Sequence, residues 1–179
     1  EQERLQAYND LGKLPLYIMD HYGEVDRDEV IRRLRYSVRR HNVKIALIDH
    51  LGFMTTPKDQ GDDERILIES TVRELCQIAV QDHVTIILIC HPNNTSVYQN
   101  RRVKITDLKG ASAIRQDAHV GIVVERMEIT TDRPNPASRI WFDKVRSEFG
   151  KAGSNCILAF DALACSYADS WEMTPSGLN

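Results

Sequence analysis

Lys44 to Met54 reads Lys-Ile-Ala-Leu-Ile-Asp-His-Leu-Gly-Phe-Met, and this stretch constrains the fold more than any other. Its apolar run from Ile45 to Ile48 stops abruptly at Asp49. Continuous apolar residues without polar alternation mark a buried strand of a parallel sheet covered by helices. Ligands of open α/β sheets gather at the carboxyl ends of the strands. A carboxylate delivered there is well sited to help hold a metal ion over phosphates. An aspartate at that point can also do no more than cap the following turn, and the stretch alone leaves both roles open.

The rest of the chain narrows the setting. Its 179 residues suit one domain with a substantial core. No apolar run is long enough to span a bilayer, and no charged-then-apolar leader opens the chain. A formal net charge of −3 excludes a protein coated in basic residues, so any nucleic-acid binding must come from a local patch. Cys76, Cys90, Cys156 and Cys165 lie far apart, and the six histidines lack zinc-ligand spacing. That pattern predicts a reducing compartment and no disulfide scaffold or structural metal.

Read in order, Glu1 to Leu11 is the end of a helix broken by Gly12 and Pro15, and Leu16 to Asp20 a short strand. Asp26 to Arg40 is an amphipathic helix, with Val30, Ile31, Leu34 and Val38 on one side and acids before arginines. Its arginines (Arg32, Arg33, Arg35, Arg39, Arg40) suit a solvated face or a DNA contact. After the Asp49 strand come a polar loop from Thr55 to Gly61 and a helix from about Asp62 to Gln81. Val84 to Cys90 is a second buried strand, closed by His91-Pro92. A loop covers Asn93 to Thr106. A short helix follows at Ser112 to Ala118, then strands at His119 to Glu125, Arg139 to Lys144 and Asn155 to Phe160. The residues after Ser166 read as a polar tail.

Three constellations carry chemistry. His91 ends its strand as Asp49 ends its own, which suggests a shared phosphate site, although a histidine can simply be satisfied at a strand end. Between Arg101 and Lys109, the basic residues Arg101, Arg102, Lys104 and Lys109 face one acid, Asp107. Gly110 and the small residues after it let the backbone approach a ligand. The run lacks interleaved aromatics, so phosphate contacts with little sequence preference are expected. Finally, Lys144 and Arg146 alternate onto one strand face. Such a pair destabilises a strand unless an anion lies near, whether a neighbouring subunit's polyphosphate or Glu148 two residues on.

Asp49-His50, Ile-Cys-His at 89 to 91, Ile-Thr-Asp-Leu-Lys-Gly-Ala-Ser-Ala-Ile-Arg-Gln at 105 to 116, and Lys144-Val145-Arg146 together resemble the ordered motifs of ring-shaped replicative helicases. The likeness is to the helicase half of phage primase-helicases and to Twinkle, with DnaB more distant, and it covers about residues 13 to 162. It implies an α/β, RecA-like P-loop NTPase core, a mostly parallel twisted sheet flanked by helices. It also implies a single domain over 1–179, with 1–12 the end of an upstream helix and 166–179 a tail. ATP and Mg²⁺ are the implied cofactors, and single-stranded DNA, a homohexamer and a primase the implied partners. The implied location is the cytoplasm of a bacterial or phage-infected cell, or the mitochondrial matrix.

By the same resemblance, Asp49 is the Walker B acid that helps hold Mg²⁺, and His91 the phosphate sensor. Lys109 and Gly110 belong to the DNA-contacting loop, with Arg115 supporting it and Arg101, Arg102 and Lys104 adding charge. Arg146 is an arginine finger given to the next subunit, with Lys144 its companion. Arg126 and Phe160 sandwich the nucleotide base, Phe160 standing where a Tyr is more usual. The Gly-x-x-x-x-Gly-Lys-Ser/Thr loop and the catalytic glutamate of such enzymes do not occur in these residues, which alone are expected neither to hydrolyse ATP nor to unwind DNA. A RecA-fold ATPase of recombination or signalling, and a non-catalytic DNA-binding or oligomerisation module, are the competing readings.

Overall fold

The computed structural model describes residues 2–21, 25–56, 63–92, 102–108, 110–127, 136–146, 150–161 and 164–169. Helix α1 (Gln2–Leu11) is exposed throughout. Helix α2 (Arg27–His41) starts where Asp26 accepts from the N–H groups of Asp28 and Glu29 and stops at Asn42, which takes a left-handed conformation. Strand β1 (Ile45–Ile48) lies parallel to β2 (Thr85–Leu88), with Ile45 opposite Thr85 and Ile48 opposite Leu88. Helix α3 (Glu64–Gln81) connects them, its first turn capped by Asp63. This β1–α3–β2 unit is the parallel crossover that the apolar runs and the helical period predict.

Beyond it the expected parallel order gives way. Strands β3 (Val120–Met127), β4 (Ala137–Val145), β5 (Asn155–Asp161) and β6 (Ser166–Asp169) form a four-stranded antiparallel sheet in chain order. Most described strands are therefore antiparallel, which corrects the reading of a mostly parallel sheet. The cause is connection length. The links between β3 and β4, β4 and β5, and β5 and β6 are each shorter than the dozen or so residues a parallel crossover needs. Two smaller corrections follow. Leu16 to Asp20 is irregular and exposed, with no strand beside it among the described residues. Ser166 to Asp169, expected in a polar tail, pairs with β5 because Tyr167 packs its ring on Phe160.

Two apolar clusters hold the chain together, and α3 belongs to both. On one side Leu75 and Ile78 of α3 pack with Ile31 of α2, Met54 and Val84, against Ala46, Ile48, Ile86 and Leu88 of the β1–β2 pair. On the other, Ile68 and Val72 meet Leu51, Ile105 and Ile114, with Val123 of β3 alongside. Ile114 belongs to α4 (Ala111–Asp117). The opposite face of β1 and β2 carries Ile45, Leu47 and Ile87, exposed at 64%, 65% and 48%. The strands are thus apolar on both faces but covered on only one by the described residues.

Glycine is required where α4 meets α3. Gly110 has φ +65° and lies so close to α3 that a Cβ there would come within 2.2 Å of Ile68 Cγ2. That contact seats the start of α4 on the second cluster.

Candidate functional site

The two parallel strands deliver Asp49 and His91 to one sheet edge. The Ile89 N–H donates to the Ile48 carbonyl at 2.9 Å, and the Leu51 N–H to the Ile89 carbonyl at 3.0 Å, so the strand ends stay in register past their last ladder residues. The Asp49–His50 peptide is cis. His50, and not Asp49, caps the 3₁₀ turn from Leu51 to Met54: its Nδ1 accepts the Gly52 N–H at 3.0 Å. Nδ1 is thereby the acceptor, which leaves Nε2 to carry the proton of the neutral ring. Phe53 stacks on that ring at 4.3 Å between centroids, and the His91 ring meets it edge-on at 4.4 Å. A side chain at 52 would collide with the imidazole, since a Cβ there lies 2.7 Å from its Cε1.

Asp49 is exposed, and its carboxylate has no hydrogen-bond or ion-pair partner among the described residues. The capping role left open for it is filled by its neighbour. Among the described residues no three metal-ligating side chains cluster, so they cage no metal by themselves. One exposed carboxylate at a strand end nevertheless suits Mg²⁺, which keeps several waters and takes one or two carboxylates plus substrate phosphates. His50 was not among the site residues expected from the sequence. Its position next to the acid ending an apolar run was the available signal.

Of the basic loop's residues, Arg101 and Lys109 lie outside the described residues. Arg102 is among the described residues, and the partners it shows there belong to β4. Its guanidinium bonds the Asp143 carboxylate and lies over Trp141, 4.0 Å from the ring centroid, with Arg139 at 5.4 Å from the same ring. Asp143 also accepts the Ile105 N–H at 3.0 Å. Arg102 therefore braces the loop on β4, a role that Asp143, adjacent to the Lys144-Val145-Arg146 motif, did not announce. Lys104 is exposed, and its N–H is tied to the Asp107 carboxylate at 2.8 Å.

Arg115, Lys144 and Arg146 come together. Lys144 Nζ donates to the carbonyls of Arg115 and, at 3.2 Å, Gln116, closing the last turn of α4. Desolvation, then the charge of Arg146, holds the Lys144 amine below its ordinary pKa, with Asp117 opposing. Arg146 is exposed, and its backbone N–H donates to the His119 carbonyl at 2.9 Å. Its guanidinium has no hydrogen-bond or ion-pair partner among the described residues. Glu148, the alternative counter-charge, lies outside them.

Farther along the antiparallel sheet, Arg126 is opposite Ser138, and Phe160 is opposite Tyr167. The Ser138 and Tyr167 hydroxyls lie 3.4 Å apart, and the Tyr167 ring packs on Phe160 at 5.1 Å. Arg126 and Phe160 thus share one sheet face, with Tyr167 as an aromatic that a polar tail did not foretell.

A parallel β1–α3–β2 unit followed by an antiparallel sheet makes this an α/β domain. The chain belongs to the family described as DnaB-like helicase C terminal domain, which matches residues 1–167. It is 28% identical over 133 residues to a DNA helicase/primase of Enterobacteria phage T3, a match covering 72% of this chain and 23% of that protein. The chain therefore spans about a quarter of that relative's length. A solved ATPase domain has the same fold, with a TM-score of 0.73 at 18% identity over 92% of this chain and 58% of that one. A DnaB-like replicative helicase, solved for its interactions with primase, superposes at a TM-score of 0.71 with 19% identity, over 88% of this chain and 38% of the other.

Proposed function

We propose that this chain is part of the motor domain of an ATP-dependent replicative DNA helicase that works on single-stranded DNA as a hexameric ring. Family membership supports the class, and one observation carries the mechanism: an exposed Asp49 carboxylate, without a hydrogen-bond or ion-pair partner among the described residues, at the edge where two parallel strands end and the His50 and His91 rings meet. Asp49 would help hold Mg²⁺ on the nucleotide, through the kind of water-mediated contact that one carboxylate permits. Mg²⁺ supplies neutralisation of phosphate charge. His91 would donate a hydrogen bond to the terminal phosphate, and its contact with the His50 ring would pass the loss of that bond to the turn at Leu51 to Met54.

The antiparallel half would serve two further contacts. Arg126 and Phe160 flank the nucleotide base, and Arg146 reaches a nucleotide held by the adjacent subunit. Lys144, committed to the end of α4, positions the Arg115–Arg146 neighbourhood. Arg101, Lys104, Lys109 and Gly110 would carry the DNA phosphates while Arg102 braces their loop. The names of the phage T3 relative and of the helicase solved for its primase interactions support a primase as partner. No helix among the described residues is long and apolar enough to cross a membrane, and we place the protein with the replicating DNA in the cytoplasm.

The test uses the complete protein. Mg²⁺-dependent ATP hydrolysis should be stimulated by single-stranded DNA and coupled to strand displacement, and Asp49→Asn should abolish both while leaving the circular dichroism unchanged. A folded Asp49→Asn protein with undiminished hydrolysis contradicts the assignment.

A further inference from the structure

The arginines of α2 form a second charged surface, separate from the basic loop. Arg32, Arg35, Tyr36, Arg39 and Arg40 line one groove. Their spacing of three and four residues sets them on a single stripe, opposite the Val30, Ile31, Leu34 and Val38 side that packs on the core. Their counter-charges are few and shared. Glu29 serves both Arg32 and Arg33, Glu74 serves both Arg27 and Arg35, and Asp82 lies 3.7 Å from Arg39. Arg40 has no ion-pair partner among the described residues.

The helix dipole accounts for cations in the last turn, at Arg39, Arg40 and His41. It does not account for Arg32 and Arg35, and like charges so spaced on a helix oppose each other. Aromatic rings complete the surface. Tyr36 is 59% exposed among the arginines. It meets His41 edge-on at 5.9 Å, and His41 stacks on Tyr17 at 4.4 Å. Arginines that follow a phosphate backbone, with exposed rings between them on which bases stack, are what a single strand of nucleic acid needs. An acidic peptide would use the charges and leave the rings idle.

We propose that the α2 stripe is a second binding surface for single-stranded nucleic acid, with Arg32, Arg39 and Arg40 on phosphates and Tyr36 under a base. It lies on a different element from the 102–110 loop and does not depend on the nucleotide site.

The experiment measures binding of a fluorescein-labelled oligothymidylate to the complete protein by anisotropy at several salt concentrations. Replacing Arg32, Arg39 and Arg40 together by Gln should lower the salt slope by about two. Tyr36→Ala should weaken binding at least about fivefold, and Tyr36→Phe should restore it. Ultraviolet cross-linking of the unaltered protein to 5-iodouracil-substituted strands should mark peptides from 27–41, which guards against variants that fail to fold. An unchanged slope in the folded triple variant, or cross-links confined to the 101–110 loop, overturns the proposal and leaves the helicase reading standing. So does a triple variant that loses binding only to polyglutamate, which would assign the stripe to an acidic protein. A complete protein that binds no oligothymidylate at all overturns both.

Discussion

The parallel unit and the antiparallel sheet of this domain place their candidate residues in different ways. In β1–α3–β2 the strands run together, so Asp49 and His91 emerge at the same edge. In β3–β6 the direction alternates, and the candidate residues lie instead across a face (Arg126, Phe160, Tyr167) or at a strand end beside α4 (Lys144, Arg146). The first arrangement brings its candidate groups to one edge of a single chain. The second spreads its groups apart, as is needed if one contact serves the subunit's own nucleotide and another a neighbour's. The deepest core also belongs to the parallel unit, where Ile78 and Thr71 are fully buried.

The largest expected effects test this division of labour. Arg146→Ala should lower DNA-stimulated turnover by about 10³ to 10⁵, the range known for arginine fingers, with nucleotide and DNA still bound. Steady-state hydrolysis together with equilibrium binding checks it. If binding fails along with turnover, the group is not confined to the transition state. Next come effects on stability. Ile78→Ala, in the core of the parallel unit, should cost about 2–5 kcal/mol. Val124→Ala, on the exposed face of β3, should stay within about 0.5 kcal/mol. Urea unfolding of the two variants compares the halves directly, and equal costs would erase the contrast in packing.

Gly110→Ala should cost about 1–3 kcal/mol, because the added methyl meets Ile68 and the backbone is left-handed. A neutral result by the same unfolding measurement would show that α4 is not seated on α3 as described. The smallest effect is chemical. Burial pushes the Cys90 thiol up to about 11 from an ordinary 9.0, so at pH 8 its thiolate is roughly a hundredfold scarcer. Iodoacetamide should label exposed Cys156 well before Cys90, followed by mass spectrometry. Equal rates would mean that the end of β2 is open to solvent.

What could be read from the sequence follows the same division. Ile45 to Ile48, the Val84 to Cys90 run and the period of α3 are local signals, and each element formed where its pattern placed it. The acid at the end of β1 was legible for the same reason. Strand direction after residue 119 was not, because apolar alternation says where a strand lies and connection length decides how it runs. Arg102 illustrates a second limit. In the sequence it is one cation of a basic loop, and only the approach of β4 brings Asp143 and Trp141 to it. Tyr167 is a third, a lone aromatic whose meaning depends on Phe160 across the ladder.

The most direct test of the account asks whether Asp49 and Arg146 act at the same nucleotide but from different subunits. Two versions of the complete protein, Asp49→Asn and Arg146→Ala, are each expected to be inactive. When they are mixed, a subunit with an intact Asp49 can receive an intact Arg146 from its Asp49→Asn neighbour. DNA-stimulated hydrolysis should therefore return in rings shown by native mass spectrometry to contain both. Mixed rings that remain inactive, or an isolated subunit that hydrolyses ATP at the full rate, would contradict the account.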